Sequence, residues 1–198
     1  SVASAYQLNA QDWERLVEDN QTVNELLVRA GKTIHEDDWK PEMEALKYFL
    51  WMNPDRAGML FAQTVLLVEG PSETALINRL RDDGKVTLPP GTYVMDGLGK
   101  YNLHRFMNLL SKLGVDHAVL HDDDENNNEH KVLNQLVRDS RTGFTRAIVP
   151  IPGELETLLG VDRQKQTSRK PQHLLYRYDS NGIDGGKLAE FCGLVNDC

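Results

Sequence analysis

Residues 64–73 read TVLLVEGPSE, and residues 119–126 read VLHDDDEN. In each stretch a short apolar run leads directly into acidic side chains, Glu69 in the first and three consecutive aspartates in the second. A carboxylate at the end of a buried strand is costly unless a positive charge compensates it. A divalent metal ion is the simplest such charge. The two stretches therefore indicate a metal site at the ends of two strands.

From residue 64 onwards, short apolar runs alternate with helical segments. The runs cover residues 65–68, 93–95, 115–120 and 146–149, and the helices between them cover residues 72–81, 102–112 and 129–138. Continuous apolar strands separated by helices of this length are typical of an α/β fold with a parallel sheet covered on both faces. Such sheets bind ligands at the carboxyl ends of their strands. Both acidic stretches fall at predicted strand ends.

The remaining segments are predicted to be mainly helical. An amphipathic helix is predicted over residues 9–30, with Asn9 as its cap and Gly31 at its end. Further helices are predicted over residues 39–51, 54–62, 154–159, 170–178 and 186–194. Residues 162–168 are polar enough to form a loop.

Composition and charge restrict the class of protein. The chain has 198 residues and a formal net charge of −8, so it has no overall basic field to attract nucleic acid or an anionic membrane. No apolar stretch reaches membrane-spanning length and no secretory signal is visible. Cys192 and Cys198 lack metal-ligand spacing and are expected to be reduced thiols, which favours a cytoplasmic protein. Because Ser1 stands where an initiator Met would be, we expect a fragment or a processed chain.

The spacing of the acids suggests how they could bind a cation. Side chains alternate along an extended strand, so Asp122 and Asp124 are expected on one side and Asp123 on the other. Carboxylate oxygens suit Mg²⁺, which leaves coordination positions for water and phosphate. Glu69 ends another strand, and Glu73 lies in the first turn of the helix that follows. The alternatives are a solvated acidic loop for the aspartates and an ordinary helix cap for Glu73.

The order of these motifs resembles the Toprim domain, in which a glutamate follows one strand and an Asp-x-Asp follows another. Here LLVEGPSE is followed by a glycine-bearing turn at residues 96–99 and then by VLHDDD. The stretch FAQTVLLVEGPSE, after a helix ending in Tyr-Phe-Leu, most resembles the overcoming-lysogenization-defect (OLD) family of nucleases. The resemblance continues through GELETLLG at residues 153–160 and RKP at residues 169–171, and covers about residues 45–180.

The resemblance implies a Rossmann-like Toprim domain over residues 63–160. It also implies a helical segment at residues 1–62 that packs on this catalytic domain, and a helical segment at residues 161–198 that completes the site. OLD proteins carry an ABC-type ATPase domain, and we expect it elsewhere in the same polypeptide because this chain has no Gly-x-x-x-x-Gly-Lys-Ser/Thr phosphate loop. Residues 97–100, Gly-Leu-Gly-Lys, are too short for such a loop and are predicted to form a turn. A homo-oligomer is compatible with the resemblance.

The activity implied by the resemblance is metal-dependent cleavage of DNA phosphodiesters, with two Mg²⁺ or Mn²⁺ ions. The implied metal ligands are Glu69, Glu73, Asp122, Asp124 and Glu156. Among these, Glu69 and Asp122 are also expected to be catalytic. Lys170, in a Lys-Pro pair that fits the family position, is the implied catalytic lysine and would stabilise charge on the phosphate. Lys187 is the fallback for that role.

Two groups of basic residues could contact DNA phosphates. The first group is Arg163, Lys165 and Arg169, next to Lys170, and the second is Arg138, Arg141 and Arg146. Phosphate contacts position a duplex without reading its sequence. The alternatives to a nuclease are a Toprim domain of a primase or topoisomerase and a non-catalytic interaction module. A phosphoacceptor receiver fold is disfavoured because its acid pair should follow the first strand, where this chain has a glutamate.

Overall fold

The structure is a computed structural model, and it describes residues 10–40, 43, 46, 47, 50, 56–124 and 128–198. The chain divides into two compact units, Ser1–Gly58 and Met59–Cys198. The predicted cap Asn9 lies outside the described residues, and so does most of the helix predicted over residues 39–51. None of the helices in the described part of the chain is long and apolar enough to cross a membrane.

The first unit contains one long helix, α1 (Ala10–Arg29), close to the predicted range. Val23 and Leu26 on this helix are buried. The side-chain amides of Asn20 and Asn24 donate hydrogen bonds of 3.1 and 2.8 Å to the carbonyl of Asp38. That carbonyl belongs to a 3₁₀ turn, Glu36–Trp39, so the segment after α1 is fastened back onto the helix.

The second unit is built on a four-stranded parallel sheet. Its strands are β1 (Thr64–Val68), β2 (Thr92–Asp96), β3 (Asp116–Asp123) and β4 (Thr145–Pro152), in the order β2-β1-β3-β4. All neighbouring strands pair in parallel. The predicted α/β fold with a parallel sheet is therefore confirmed. β3 extends to Asp123, so the aspartate stretch begins inside the strand rather than after it.

Helices connect the strands and cover the sheet. They are α2 (Pro71–Asp82), α3 (Lys100–Lys112), α4 (Asn128–Asp139), α5 (Leu155–Leu159), α6 (Lys170–Asp179) and α7 (Gly185–Asn196). One hydrophobic core joins β1 to α2 and to the three C-terminal helices, through residues such as Ile77, Leu155 and Phe191. Sequence placed each of these helices within two residues of its observed ends, because each has an apolar face to bury.

All carboxyl ends of the strands meet at one edge of the sheet, because the sheet is parallel. Glu69, Gly97 and Asp122 lie at this edge. Arg146, in contrast, lies near the start of β4 at the opposite edge, where its guanidinium pairs with Asp116 at the start of β3. Of the second basic group predicted from sequence, Arg146 therefore lies at the edge opposite to the acids.

The loop between β2 and α3 is fastened to the end of β1. The N–H of Gly97 donates to the carbonyl of Val68 at 2.8 Å, and the N–H of Gly99 donates to the carbonyl of Glu69 at 2.8 Å. A Cβ on Gly97 would lie 2.6 Å from Leu103 Cδ2 and 2.9 Å from the Val68 oxygen. Gly97 is thus required by close backbone approach, and Gly99 by its φ of 92°.

Gly97→Ala is expected to destabilise the protein by about 2–3 kcal/mol, because the added methyl group overlaps Leu103 and the backbone of β1. Denaturant unfolding of the variant measures this loss. Gly143→Ala is the matched control, since nothing lies within 4 Å of a Cβ at Gly143. Equal stability of the two variants would mean that the loop does not pack on β1 as described.

Candidate functional site

Glu69 and Asp122 meet at the carboxyl edge of the sheet. β1 and β3 are neighbours, and their register aligns Val68 with Leu120. The main-chain N–H of Asp122 is 3.4 Å from Glu69 Oε2 and donates to it. The two acidic stretches, which are about fifty residues apart in sequence, are thus in direct contact. This is the adjacency that the parallel sheet predicts.

Both carboxyl groups lie in surroundings that disfavour their charge. Burial raises the pKa of Asp122 to about 9, and the charges of Glu69, Glu73 and Asp124 add to the effect. Burial likewise raises the pKa of Glu69 to about 7, and the charge of Glu73 adds to it. Buried carboxylates that repel one another are characteristic of sites that bind cations or transfer protons.

Glu73 combines a structural contact with membership of the acidic cluster. Its Oε2 accepts a 3.1 Å hydrogen bond from the N–H of Gly70, as a capping glutamate does. Burial raises its pKa, and the charge of Glu156 adds to this rise. The helix-cap interpretation of Glu73 is therefore correct as far as the hydrogen bond goes, but the side chain also faces other acids.

Glu156 and Lys170 form an ion pair beside this cluster. Lys170 Nζ is 2.8 Å from Glu156 Oε1, and the two side chains are 23% and 11% exposed. The pKa of Glu73 is raised by burial, and the charge of Lys170 opposes that rise, so the lysine lies within electrostatic reach of the acids. Lys187 is exposed and lies over Gly160 at the end of α5. Glu154, two residues before Glu156, pairs instead with Arg163 at 2.8 Å.

The two remaining aspartates are held by helix α4. Asn134, which is fully buried, donates a 2.7 Å hydrogen bond to Asp123 Oδ1, so Asp123 is anchored rather than solvated. Asp124 Oδ2 is 2.9 Å from His130 Nδ1. Because β3 ends at Asp123, strand alternation no longer dictates the direction of Asp124. Its charge nevertheless raises the pKa values of both Glu69 and Asp122.

His121 is a packed residue. It is 1% exposed, and its Nδ1 lies 2.9 Å from the main-chain oxygen of Asp122. Burial lowers its pKa and keeps the ring neutral.

Sequence analysis overlooked Lys100. It was assigned only to a turn, yet its side chain is 4% exposed and Nζ donates a 2.5 Å hydrogen bond to the main-chain oxygen of Asp122. One signal could have identified it. A lysine that directly follows a glycine turn at the carboxyl end of a parallel strand is placed by topology at the ligand-binding edge.

The basic residues assigned to DNA contact lie beyond Glu156. Arg163 is largely exposed and engaged with Glu154, and Lys165 is exposed. Arg169, also exposed, directly precedes α6 and Lys170. These three residues are therefore accessible to a large polar ligand.

The cluster offers the donors that a hard cation prefers, because its acidic side chains present carboxylate oxygens. Burial and, to a lesser degree, repulsion among the carboxylates raise the pKa values of Glu69, Glu73 and Asp122, and a bound cation would favour the ionised forms again. Among the described residues, however, no three His, Cys, Asp or Glu side chains converge closely enough to form a closed metal-binding group. The residues therefore fit a divalent cation by charge and donor type, with the ligands still spread apart.

The comparison with known families agrees with the geometry. Residues 60–124 match the family described as overcoming lysogenization defect protein-like, TOPRIM domain. The matched stretch contains β1, β2 and β3, and with them Glu69, Lys100, Asp122 and Asp124. A comparison with curated proteins gave no match.

Proposed function

Because residues 60–124 are an OLD-like Toprim region, we propose that the protein is a divalent-metal-dependent endonuclease that hydrolyses DNA phosphodiesters. The observation that carries this proposal is the contact between the two acidic strand ends, where the N–H of Asp122 meets Glu69 Oε2 at 3.4 Å. We also propose that the same polypeptide contains an ATPase domain. The catalytic unit would then consist of a Toprim domain, residues 63–160, and a C-terminal segment that completes the site.

The charge of the cluster favours two Mg²⁺ or Mn²⁺ ions. Its proposed ligands are Glu69, Glu73, Asp122, Asp124 and Glu156. Together with Lys100 and Lys170 they leave an excess of three negative charges when all are ionised. Two divalent cations and one bound phosphodiester would neutralise that excess, whereas DNA alone would be repelled. When bound, such ions lower the pKa of a coordinated water and stabilise charge on the attacking and leaving oxygens.

Lys170 is the residue proposed to bind the phosphate. It has three N–H donors, and Glu156 engages it at 2.8 Å. This pairing fixes the ammonium beside the acids, and the side chain retains 23% exposure. A fixed positive group aimed at a phosphoryl oxygen stabilises the charge that develops there as the bond to the leaving oxygen breaks. Arg163, Lys165 and Arg169 would bind phosphates further along the duplex.

Plasmid nicking tests the proposal directly. Wild-type protein is expected to nick supercoiled DNA with Mg²⁺ or Mn²⁺ and to lose this activity with a chelator. Lys170→Met is expected to lower the nicking rate by about 10²–10³-fold, because the developing charge loses its fixed donor. Lys187→Met is the matched control and is expected to nick within about twofold of wild type.

An equal loss in both lysine variants would count against the role of Lys170, and chelator-resistant nicking would count against metal dependence.

The second candidate function is a non-catalytic Toprim-like module. The spread arrangement of the acids favours it, since no closed metal-binding group forms among the described residues. Absence of nicking together with absence of Mn²⁺ binding in wild-type protein would establish that candidate.

A further inference from the structure

Lys100 is a buried cation inside an acidic cluster. It is the first residue of α3, directly after Gly99, and its side chain is 4% exposed. The loop that carries it is fastened to β1 by the hydrogen bonds from Gly97 and Gly99. This loop leads from β2, at the edge of the sheet, to the end of β1, and from there the Lys100 side chain reaches the main-chain oxygen of Asp122 on β3.

The partner of Lys100 is a carbonyl, yet its charge acts on the carboxylates. Its ammonium donates a 2.5 Å hydrogen bond to the main-chain oxygen of Asp122. Among the charges that act on Glu69, that of Lys100 favours the ionised carboxylate, against those of Glu73 and Asp124. A buried ammonium is costly unless opposite charges surround it. The acidic cluster meets that requirement.

We propose that Lys100 is a built-in counter-cation of the acidic cluster. While no divalent ion is bound, its positive charge compensates the carboxylates. When divalent ions bind, the same charge repels them and weakens the affinity of the site for them. This inference rests on the proposed metal site. It assigns Lys100 a positioning role, because its contact is with the strand that carries Asp122 rather than with substrate. A fixed positive charge at this place stabilises the folded protein without metal, and it allows bound ions to dissociate more readily.

The test is titration of Mn²⁺ into metal-free wild type and Lys100→Met at pH 7.5, with free Mn²⁺ measured by electron paramagnetic resonance. Removing the positive charge is expected to lower the Mn²⁺ dissociation constant at least about fivefold, since cation repulsion is lost. The same substitution is expected to lower the melting temperature of the metal-free protein by about 3–8 °C. Added Mn²⁺ is expected to raise the melting temperature of the variant more than that of wild type.

Lys112→Met is the control, because Lys112 is an exposed lysine at the other end of the same helix. It is expected to leave both quantities unchanged. Lys100→Gln, which keeps a donor without the charge, is also expected to bind Mn²⁺ more tightly, and it serves if the Met variant does not fold. A lower melting temperature with unchanged or weaker Mn²⁺ binding would reduce Lys100 to a hydrogen-bond donor and overturn the inference.

The two proposals fail in different ways. If wild-type protein binds Mn²⁺ and nicks DNA while the Lys100 variants bind no more tightly, only the counter-cation role is wrong. If wild-type protein binds no Mn²⁺, the metal site itself is wrong, and the role of Lys100 is overturned with it.

Discussion

Replacing Glu69 with glutamine is expected to lower metal-dependent nicking by about 10³-fold or more, with the fold intact. Glutamine keeps the shape of the side chain and an oxygen that can accept from the N–H of Asp122. It removes the charge at the point where the two acidic strand ends meet. Loss of one charged group at such a centre costs catalysis at least as much as loss of one oxyanion donor. Single-turnover nicking at saturating Mn²⁺ measures the effect.

The same substitution should stabilise the metal-free protein. Because burial raises the pKa of Glu69 from 4.5 to about 7, its ionised form, which prevails above pH 7, destabilises the folded state relative to the unfolded chain. The neutral amide avoids this cost, so the melting temperature at pH 8 with chelator is expected to rise. Glu190→Gln, an exposed glutamate on α7, is the control and should change neither activity nor stability. Near wild-type nicking by the Glu69 variant would remove the basis of the proposed function.

Stability of the metal-free protein is expected to fall as the pH rises from about 4 to about 9. The folded state raises the pKa of Glu69 from 4.5 to about 7 and that of Asp122 from 3.8 to about 9. Between the unfolded and folded values the folded protein binds more protons than the unfolded chain, so raising the pH favours unfolding. Each pKa unit corresponds to about 1.4 kcal/mol, and the coupled pair should account for several kcal/mol in all.

The measurement is the free energy of unfolding against pH, with chelator and with excess Mg²⁺. A bound cation favours the ionised carboxylates, so Mg²⁺ should flatten the decline and stabilise the protein most at high pH. Asp122→Asn should remove most of the decline in the chelated protein, because it removes the group with the larger shift. A metal-free stability that is flat or rises between pH 5 and 8 would show that the acids are not packed together as described.

The strands and helices of the second unit can be predicted from the sequence because local patterns determine them. The run Val65–Val68 is apolar at every position, as a strand covered on both faces must be, and it proved fully buried. The helices after β1 and β2 show one apolar face each and begin at glycine turns. The same topology rule that orients parallel strands also predicted that Glu69 and Asp122 would share an edge.

The orientations of the side chains in the acidic cluster could not be predicted as well from the sequence. Alternation predicted one direction for both Asp122 and Asp124, but Asp124 lies past the end of β3 and takes its orientation from His130 on α4. Asp123, expected to face away, is bound by buried Asn134, eleven residues later. Such partners belong to helices whose rotation about their own axes depends on packing rather than on local sequence.

The sequence alone determined where strands end in acids, because an apolar run followed by carboxylates is a local pattern. Tertiary structure decided how those charges are balanced. The lysine after the Gly97 turn reaches Asp122 on β3, while Lys170 comes from a helix packed on α2 and pairs with Glu156. Electrostatic energy depends on distances between charges in space, and residues of widely different sequence number become neighbours only when the sheet order and helix packing are fixed.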